Sequence, residues 1–523
     1  MKKILFSALA AVLLLASCSK GDNDPRLVVI TFDGLRWQEL FSGADSMLIR
    51  DARFVEDTDS LVARYWRETP EERREVLMPF TWSYIKDHGF LIGNREKGSQ
   101  MQVANKYNFS YPGYSENFCG WPDDSVNSND PVLNANVSVF EVANRDERYK
   151  GKVMVYGSWE SIRYAVNNER GEFPASVAYE PHLSANPSAE LQLAADVMST
   201  MDRPWDSERY DVFTYIYALE TLKSDHPKVM YISFGDTDEF AHSGRYDKYI
   251  QAAHYTDQFI RNIVETCEAD PFYRGKTTYL LTCDHGRGYR ASFTSHGAGT
   301  IGSEHTWMMA FGKGIEVLGE TTENGPFYNQ QMAATIADIL GIDFMPGDSV
   351  KKEPFDPHFK GEPLVDAEYI TDYGDFPAVD VSPRGKGVRY KYFEGEFESV
   401  DQLANHPVRQ SGIMEKVDIS KAKSEDHFGY EFQTLLKIDK GGIYTLTCTS
   451  DDGSKVWVDD KLVVSNDGSH GSGSILAKMN LAQGYHRILI RYFEDYGGQC
   501  LDFELEGQGV NAFELPADML YYE

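Results

Sequence analysis

The chain has 523 residues, 42% apolar and 25% charged, an ordinary balance for a folded protein with room for roughly two to four domains. Its 51 Lys and Arg face 81 Asp and Glu, a net charge of −30. Such a surface repels phosphate backbones and argues against nucleic-acid binding by electrostatic grip. It suits an anionic substrate only where something local reverses the field.

At the N-terminus, Lys2 and Lys3 precede an apolar run from Ile4 to Leu15, and Leu15-Ala16-Ser17-Cys18 follows. The run is shorter than the ~20 residues of a membrane span and has the basic–apolar–small order of a secretory signal. A cysteine at the cleavage point resembles the bacterial lipobox. That implies a lipidated Cys18 and a mature chain tethered to the lipid bilayer by acyl chains; a plain secretion signal is the alternative. The expected setting is an exported lipoprotein of a Gram-negative-type bacterium, on the periplasmic or outer face of the outer membrane. Loss of Lys2 and Lys3 makes the mature charge −32. Cys119, Cys267, Cys283, Cys448 and Cys500 remain, without zinc-knuckle spacing, and read as small buried apolar residues. Cys448 and Cys500 share the C-terminal region and are the one candidate pair for a disulfide, against the reading of all five as reduced.

From Leu27 to about Ile342 the pattern is α/β: β-branched or aromatic runs alternate with helical periodicity. Strands are predicted at Leu27–Phe32, Val153–Tyr156, Val229–Phe234, Thr278–Thr282 and Met308–Phe311. Their near-continuous apolar character fits a mostly parallel sheet flanked by helices. Tyr249, Ala252, Ala253, Thr256, Phe259, Ile260 and Ile263 mark one helical face; Met332, Ile336, Ile339 and Leu340 mark another, stopped by Gly341. Residues 346–387 are broken by Pro346, Pro354, Pro357, Pro363, Pro377 and Pro383, and read as a linker. Residues 388–523 read as an all-β sandwich. In it, Tyr444–Thr449 alternates with period two, one face packed and one wet, and Val456–Val464 reads as a tight hairpin.

The predicted strands end in acids and imidazoles. Leu27–Phe32 runs into Asp33. Val229–Phe234 runs into Gly235-Asp236-Thr237-Asp238, with His242 beyond. The strand to Cys283 runs into Asp284-His285-Gly286, followed by His296 and His305. In an open parallel sheet the C-terminal strand ends line one crevice. So many acids and imidazoles on one rim are costly without a cation, and a divalent metal removes that cost. Mixed nitrogen and oxygen ligands favour zinc, with manganese the alternative. The nucleophile is expected in Asn108-Phe109-Ser110-Tyr111-Pro112-Gly113-Tyr114. There Pro-Gly should force a tight turn and Ser110 precedes it at a helix start. A hydroxyl held by a metal needs no histidine base.

Thr31-Phe32-Asp33-Gly34, Ser110-Tyr111-Pro112-Gly113, Asp238-x-x-x-His242, Asp284-His285-Gly286 and Ser295-His296-Gly297 stand in the order seen in the alkaline phosphatase superfamily. Over residues 26–345 the chain most resembles the type I phosphodiesterase/nucleotide pyrophosphatase branch. The resemblance implies two zinc ions, one held by Asp33, Ser110, Asp284 and His285, the other by Asp238, His242 and His296. His305 is the alternative last ligand, and Asp236 is expected beside the ligands rather than among them. It also implies attack by Ser110 on phosphorus and hydrolysis of the phosphoserine by water. Two departures bear on specificity. Gly113 stands where that branch has a phosphate-binding Asn, leaving Asn108, Asn117 or Lys106 as substitutes, and Ser110 replaces a common Thr. Sulfatases share the fold, but need Arg four residues after the nucleophile and a second Asp after the first. Here those positions are Tyr114 and Gly34.

Tyr392-Phe393-Glu394-Gly395, Ser450-Asp451-Asp452-Gly453 and Gly484-Tyr485-His486-Arg487-Ile488 are similar to the protective-antigen-type domain, over residues 388–510. The resemblance implies a carbohydrate ligand and calcium at Asp451 and Asp452, with Asn466 and Asp467 as co-ligands. The expectation is a two-metal phosphoesterase, phosphodiesterase or phosphatase, acting on a phosphorylated glycan or similar extracytoplasmic small-molecule phosphoester. The rivals are a sulfatase-like hydrolase and a catalytically inactive surface glycan-binding lipoprotein.

Overall fold

The computed structural model describes residues 24–322, 325–346, 374–508, 510–512 and 514–523. The N-terminal segment with Cys18, and Pro354, Pro357 and Pro363, lie outside the described residues. No described helix is long and apolar enough to cross a membrane.

The first domain is built on eight strands: β1 (Arg26–Phe32), β2 (Gly89–Ile92), β3 (Val153–Gly157), β4 (Ala175–Val177), β5 (Val229–Phe234), β6 (Thr277–Cys283), β7 (Met308–Gly312) and β8 (Gly319–Glu320). They lie in the order β8-β2-β7-β6-β1-β5-β3-β4. β1 is flanked in parallel by β5 and β6, in a register that aligns Phe32 with Phe234 and Cys283. β7 runs antiparallel between β2 and β6. Every residue of β1, β5 and β6 is buried, because helices cover both faces. Those helices include α1 (Ser110–Cys119), α2 (Asp211–Ser224), α3 (Asp236–His242), α4 (Tyr246–Ala269) and α5 (Gln331–Leu340). Two apolar cores result, one on each face of the sheet. α5 ends at Gly341, whose φ of +61° suits a residue without a Cβ.

Expected and observed strands agree to within a residue or so. The Pro-Gly turn does not: Pro112 and Gly113 lie inside the first turn of α1, which starts at Ser110. Pro is tolerated there because the first-turn amides lack intrahelical partners.

The second domain is a sandwich of two sheets around its own core. Its longer strands are β9 (Val388–Glu394), β10 (Gln410–Met414), β11 (Phe428–Ile438), β12 (Gly442–Asp451), β13 (Ser454–Val458), β14 (Lys461–Asn466), β15 (Gly473–Leu481), β16 (Gly484–Glu494) and β17 (Cys500–Gly507). β13 and β14 form the expected hairpin, turning through Asp459 and Asp460 at φ of +46° and +65°. The described end of the linker belongs to the sandwich, since Asp375–Phe376 pairs with β15 and Gly385–Lys386 pairs with Leu520–Tyr522. All five described cysteines are free.

One expectation fails instructively. Thr447 and Thr449 of β12 belong to the face expected to be wet, yet both are buried. The first domain covers that end of the strand: Ser474 Oγ lies 2.7 Å from Thr449 Oγ1 and 2.8 Å from Ser292 Oγ across the seam. Ile301 packs against the cores of both domains.

Candidate metal centre

The C-terminal ends of β1, β5 and β6 deliver the expected side chains to one place. Asp33 and Asp284 each follow immediately on a strand, while Asp238 and His242 sit one turn apart on α3, which begins just after β5. His296 arrives from the loop after β6. Asp238, His242 and His296 hold ligand atoms within 4.8 Å of one another, and so do Asp33, Asp238 and His285. Asp238 is therefore shared between the two groups. Asp284 adjoins them, its Oδ2 3.5 Å from His285 Nε2.

Ser110 is 5% exposed and opens α1, with Oγ 3.2 Å from His285 Nε2 and 3.4 Å from Asp33 Oδ1. The helix directs its positive end toward this hydroxyl. Tyr114, one turn on, donates to Asp33 Oδ2 at 3.0 Å. His285 Nδ1 faces the Gly286 carbonyl at 2.7 Å, which leaves Nε2 aimed at the acids.

The cluster is unbalanced on its own. Burial and the neighbouring charge of Asp238 raise Asp33 above the usual carboxylate range. Burial and Asp33 push Asp284 well above it. Burial would neutralise His285, but Asp284, Asp33 and Asp238 outweigh it and raise the imidazole to about 9. Burial and the charge of His285 hold His296 well below its ordinary value. Burial opposes ionisation of Asp238, yet Arg287, His242 and His296 keep it well below the usual range.

The donor set fits divalent metal. His242 Nε2 and His296 Nε2 face each other at 2.9 Å beside Asp238, an arrangement of two imidazole nitrogens and a carboxylate that suits a shared cation. Asp284 Oδ2 is buried without a hydrogen-bond partner. An uncompensated carboxylate oxygen in such a place is expensive unless a cation meets it.

His305 does not join the set. Its Nδ1 faces Tyr289 Oη at 2.9 Å and its Nε2 lies 3.1 Å from Glu304, so the alternative last ligand is turned away. Asp236 also stands outside: Oδ1 accepts from the Asp211 amide at 3.1 Å and Oδ2 accepts from Tyr255 Oη. Asp211 returns bonds to the amides of Gly235 at 2.7 Å and Asp236 at 3.1 Å, so the pair fixes the start of α3.

The substitutes for a phosphate-binding Asn fare differently. Asn117 is fully buried behind the site and donates to the Cys283 carbonyl at 3.4 Å, so it packs α1 on β6 instead of facing substrate. Lys106 is exposed and paired with Asp124 at 2.8 Å. Asn108 is half-buried two residues before the nucleophile, with φ of +52° and its amide donating to Asn105 Oδ1 at 3.0 Å.

Arg287 is the chief residue that the sequence reading missed. It is fully buried, donates to Asp238 Oδ1, and ties its other nitrogens to the carbonyls of Phe293 at 2.6 Å and Thr294 at 2.8 Å. A cation two residues after His285 was the available signal. Glu208 was invisible: it is buried against Gly235, with Oε1 unpartnered, and burial and Glu239 keep it protonated far above the usual range.

In the sandwich, Asp451, Asp452 and Glu494 bring carboxylate oxygens within 4.8 Å of one another. Glu494, and neither expected co-ligand, completes this carboxylate group. Asn466 turns inward to Ser450 Oγ at 2.9 Å, and Asp467 is engaged by Ser399, the Val400 amide and Lys455. Asp452 accepts from the amides of His470 at 2.7 Å and Asp495 at 2.8 Å, while one oxygen of buried Glu494 is unpartnered. The oxygen-only donor set suits calcium.

Residues 196–343 match the model of the metalloenzyme superfamily, a span that includes Asp238, His242, Asp284, His285 and His296. Residues 386–518 match that of the PA14 domain. No curated protein matches the chain. Among solved structures it is similar to a protein in the alkaline phosphatase superfamily from Vibrio parahaemolyticus, at 13% identity over 62% of this chain and 68% of that one, TM-score 0.38. It is similar to a 2-O GAG sulfatase at 10% identity over 63% and 73%, TM-score 0.38. It is also similar to the PA14 sugar-binding domain of an RTX adhesin at 18% identity over 26% and 99%, TM-score 0.23. The chain spans about half the length, 48%, of an anti-sigma factor domain-containing protein that it matches at 16% identity over 26% of its own residues, TM-score 0.24. The chain thus joins an α/β domain whose residues 196–343 match the metalloenzyme superfamily model to a C-terminal sandwich whose residues 386–518 match the PA14 domain model.

Proposed function

We propose that the chain is a two-metal hydrolase of phosphate esters with Ser110 as nucleophile. The observation that carries this is the placement of Ser110 Oγ, at the start of a helix, 3.2 Å from His285 Nε2 and 3.4 Å from Asp33 Oδ1. Asp33, Asp284 and His285 would hold one ion and Asp238, His242 and His296 the other, with zinc favoured by the donor chemistry and manganese second. When bound, such ions lower the pKa of the hydroxyl and neutralise charge on the ester oxygens.

The protein's own groups do the rest. α1 holds Ser110 for in-line attack, and Tyr114 fixes the orientation of Asp33. Arg287 keeps Asp238 ionised. Ser110 Oγ gives up its proton and takes the phosphoryl group as the alcohol leaves protonated, and water then hydrolyses the phosphoserine, releasing the phosphate and restoring the serine hydroxyl. The companion PA14 domain supports a glycan-borne or similar phosphoester as substrate, and the Cys18 motif supports a lipid-anchored, exported protein.

Sulfate-ester hydrolysis is the second reading, favoured by the shared Ser-x-Pro of Ser110 and Pro112. Against it, Gly34 leaves no room for a second acid: a Cβ there would lie 2.7 Å from Asp238 Oδ1 and 2.9 Å from Arg287 Nη1. Hydrolysis of p-nitrophenyl phosphate, its bis ester and p-nitrophenyl sulfate, with zinc added, separates the readings. Turnover of a phosphate ester by the wild type and not by Ser110→Ala supports the first; sulfate turnover alone supports the second. Equal rates for wild type and variant on all three end the enzyme reading.

A further inference from the structure

The loop from Gly286 to Thr306 serves two masters. Its upper side brings Arg287 to Asp238 and His296 to His242. Its underside, a short 3-10 turn over Arg290–Thr294, rests on the sandwich. Arg290 is the main tie: it lies 2.7 Å from Asp45 in its own domain, and 2.7 Å from Glu506 and 3.7 Å from Glu504 on β17. Ser46 of the first domain donates to the other Glu506 oxygen at 2.7 Å. Ser292 meets Ser474 at 2.8 Å, and a Cβ on Gly473 would stand 3.7 Å from the Gly299 carbonyl. The carbonyls that hold Arg287 belong to Phe293 and Thr294, both in this turn. A path therefore runs from β17 and β15, through Arg290 and Ser292 and the backbone of the turn, to Arg287 and Asp238, with His296 Nε2 3.7 Å from Asp238 Oδ1.

We propose that the PA14 domain is a working part of the metal centre: Arg290 is a positioning residue through which Glu506 fixes the loop that presents His296. This rests on the reading of Asp238, His242 and His296 as metal ligands. The physical ground is that a ligand's affinity depends on how firmly its support orients it, and outer supports of metal ligands commonly matter about 10–100-fold in affinity. Arg290 suits the task because its planar fork engages three carboxylates from two domains at once, a geometry a lysine cannot reproduce. Side-chain exposure of 11% for Arg290 keeps these bonds out of bulk water.

The test is a zinc titration of metal-free full-length protein against a chromogenic chelator. It compares wild type, Arg290→Lys, Glu506→Gln and, as a control on β16 in the sheet that lacks β15 and β17, Arg487→Ala. Circular dichroism and thermal unfolding report whether each variant is folded. The expected result is two zinc ions in the wild type. In Arg290→Lys and Glu506→Gln one of the two should weaken at least about tenfold and the other stay unchanged; Arg487→Ala should match the wild type. Folded Arg290→Lys and Glu506→Gln with both affinities unchanged would overturn the proposal. A wild type that binds no zinc or manganese overturns the ligand reading beneath it.

Discussion

Gly113 lies against Asp284 so closely that a Cβ on it would fall 2.3 Å from the Asp284 carbonyl oxygen. The contact brings the helix of the serine onto the strand end that bears the buried acid. It also leaves no room for a side chain at this position. Gly113→Ala must push α1 away from β6. It should destabilise the fold by about 1–3 kcal/mol, read by thermal unfolding, and slow ester hydrolysis more than its stability loss explains.

Ser110→Ala removes the only hydroxyl bonded to both His285 and Asp33 among the described residues. Turnover should fall by about three orders of magnitude or more, because positioned groups that act as a unit fail together. Zinc content, measured by elemental analysis, should stay near the wild-type value if the carboxylates and imidazoles carry most of the affinity. Retained turnover would place the nucleophile elsewhere.

Without metal, the centre should prefer acid. His285, raised to about 9, holds a proton in the fold that an unfolded histidine has already lost at neutral pH. Its contribution is complete below the ordinary histidine pKa of about 6.5 and disappears as pH rises through 9. Asp33 and Asp284, raised by burial, act in the same direction at lower pH. Metal binding needs these groups deprotonated and so releases protons. Zinc should therefore raise the unfolding temperature more at pH 8 than at pH 6, and weaken as acid is added; a pH-independent shift would contradict the assignment.

Glu208 is held neutral, so Glu208→Gln keeps the shape and the charge of the native state. Unfolding temperature should match wild type within a change worth about 1 kcal/mol. Gly235→Ala, by contrast, sets a Cβ 1.6 Å from Glu208 Oε1, so the carboxyl must swing aside, and it should lower the unfolding temperature more than Glu208→Gln does. A large loss in Glu208→Gln would mean that the carboxyl is ionised.

Calcium should stabilise the sandwich through Asp451, Asp452 and Glu494. At a hundredfold excess over the dissociation constant the gain is about 2.7 kcal/mol. Asp451→Ala is the better probe, because Asp452 also anchors two backbone amides. The variant should lose the calcium-dependent rise in melting temperature that the wild type shows.

The buried strands were legible because parallel strands covered on both faces are apolar throughout, and β5 falls at Val229–Phe234 as its residues suggest. The acids at their ends were legible for the same reason: a polar residue straight after such a run must face the rim. Less local features were not. Nothing near Arg287 says that its partner is Asp238, 49 residues away. Asp467 has the composition of a calcium ligand, but a neighbouring turn at Ser399–Val400 claims it. The buried threonines of β12 read as a wet face because their cover comes from a different domain.

That cover has a practical consequence. Two halves with separate cores invite separate expression, and the proline-rich stretch between them looks like the place to cut. Cutting there would break the bond between the hydroxyls of Ser292 and Ser474 and expose Ile301 and Leu476 to water. A catalytic fragment made that way would be stickier and less soluble than the whole, and a sandwich transplanted from a relative would fit only if it brought a matching seam.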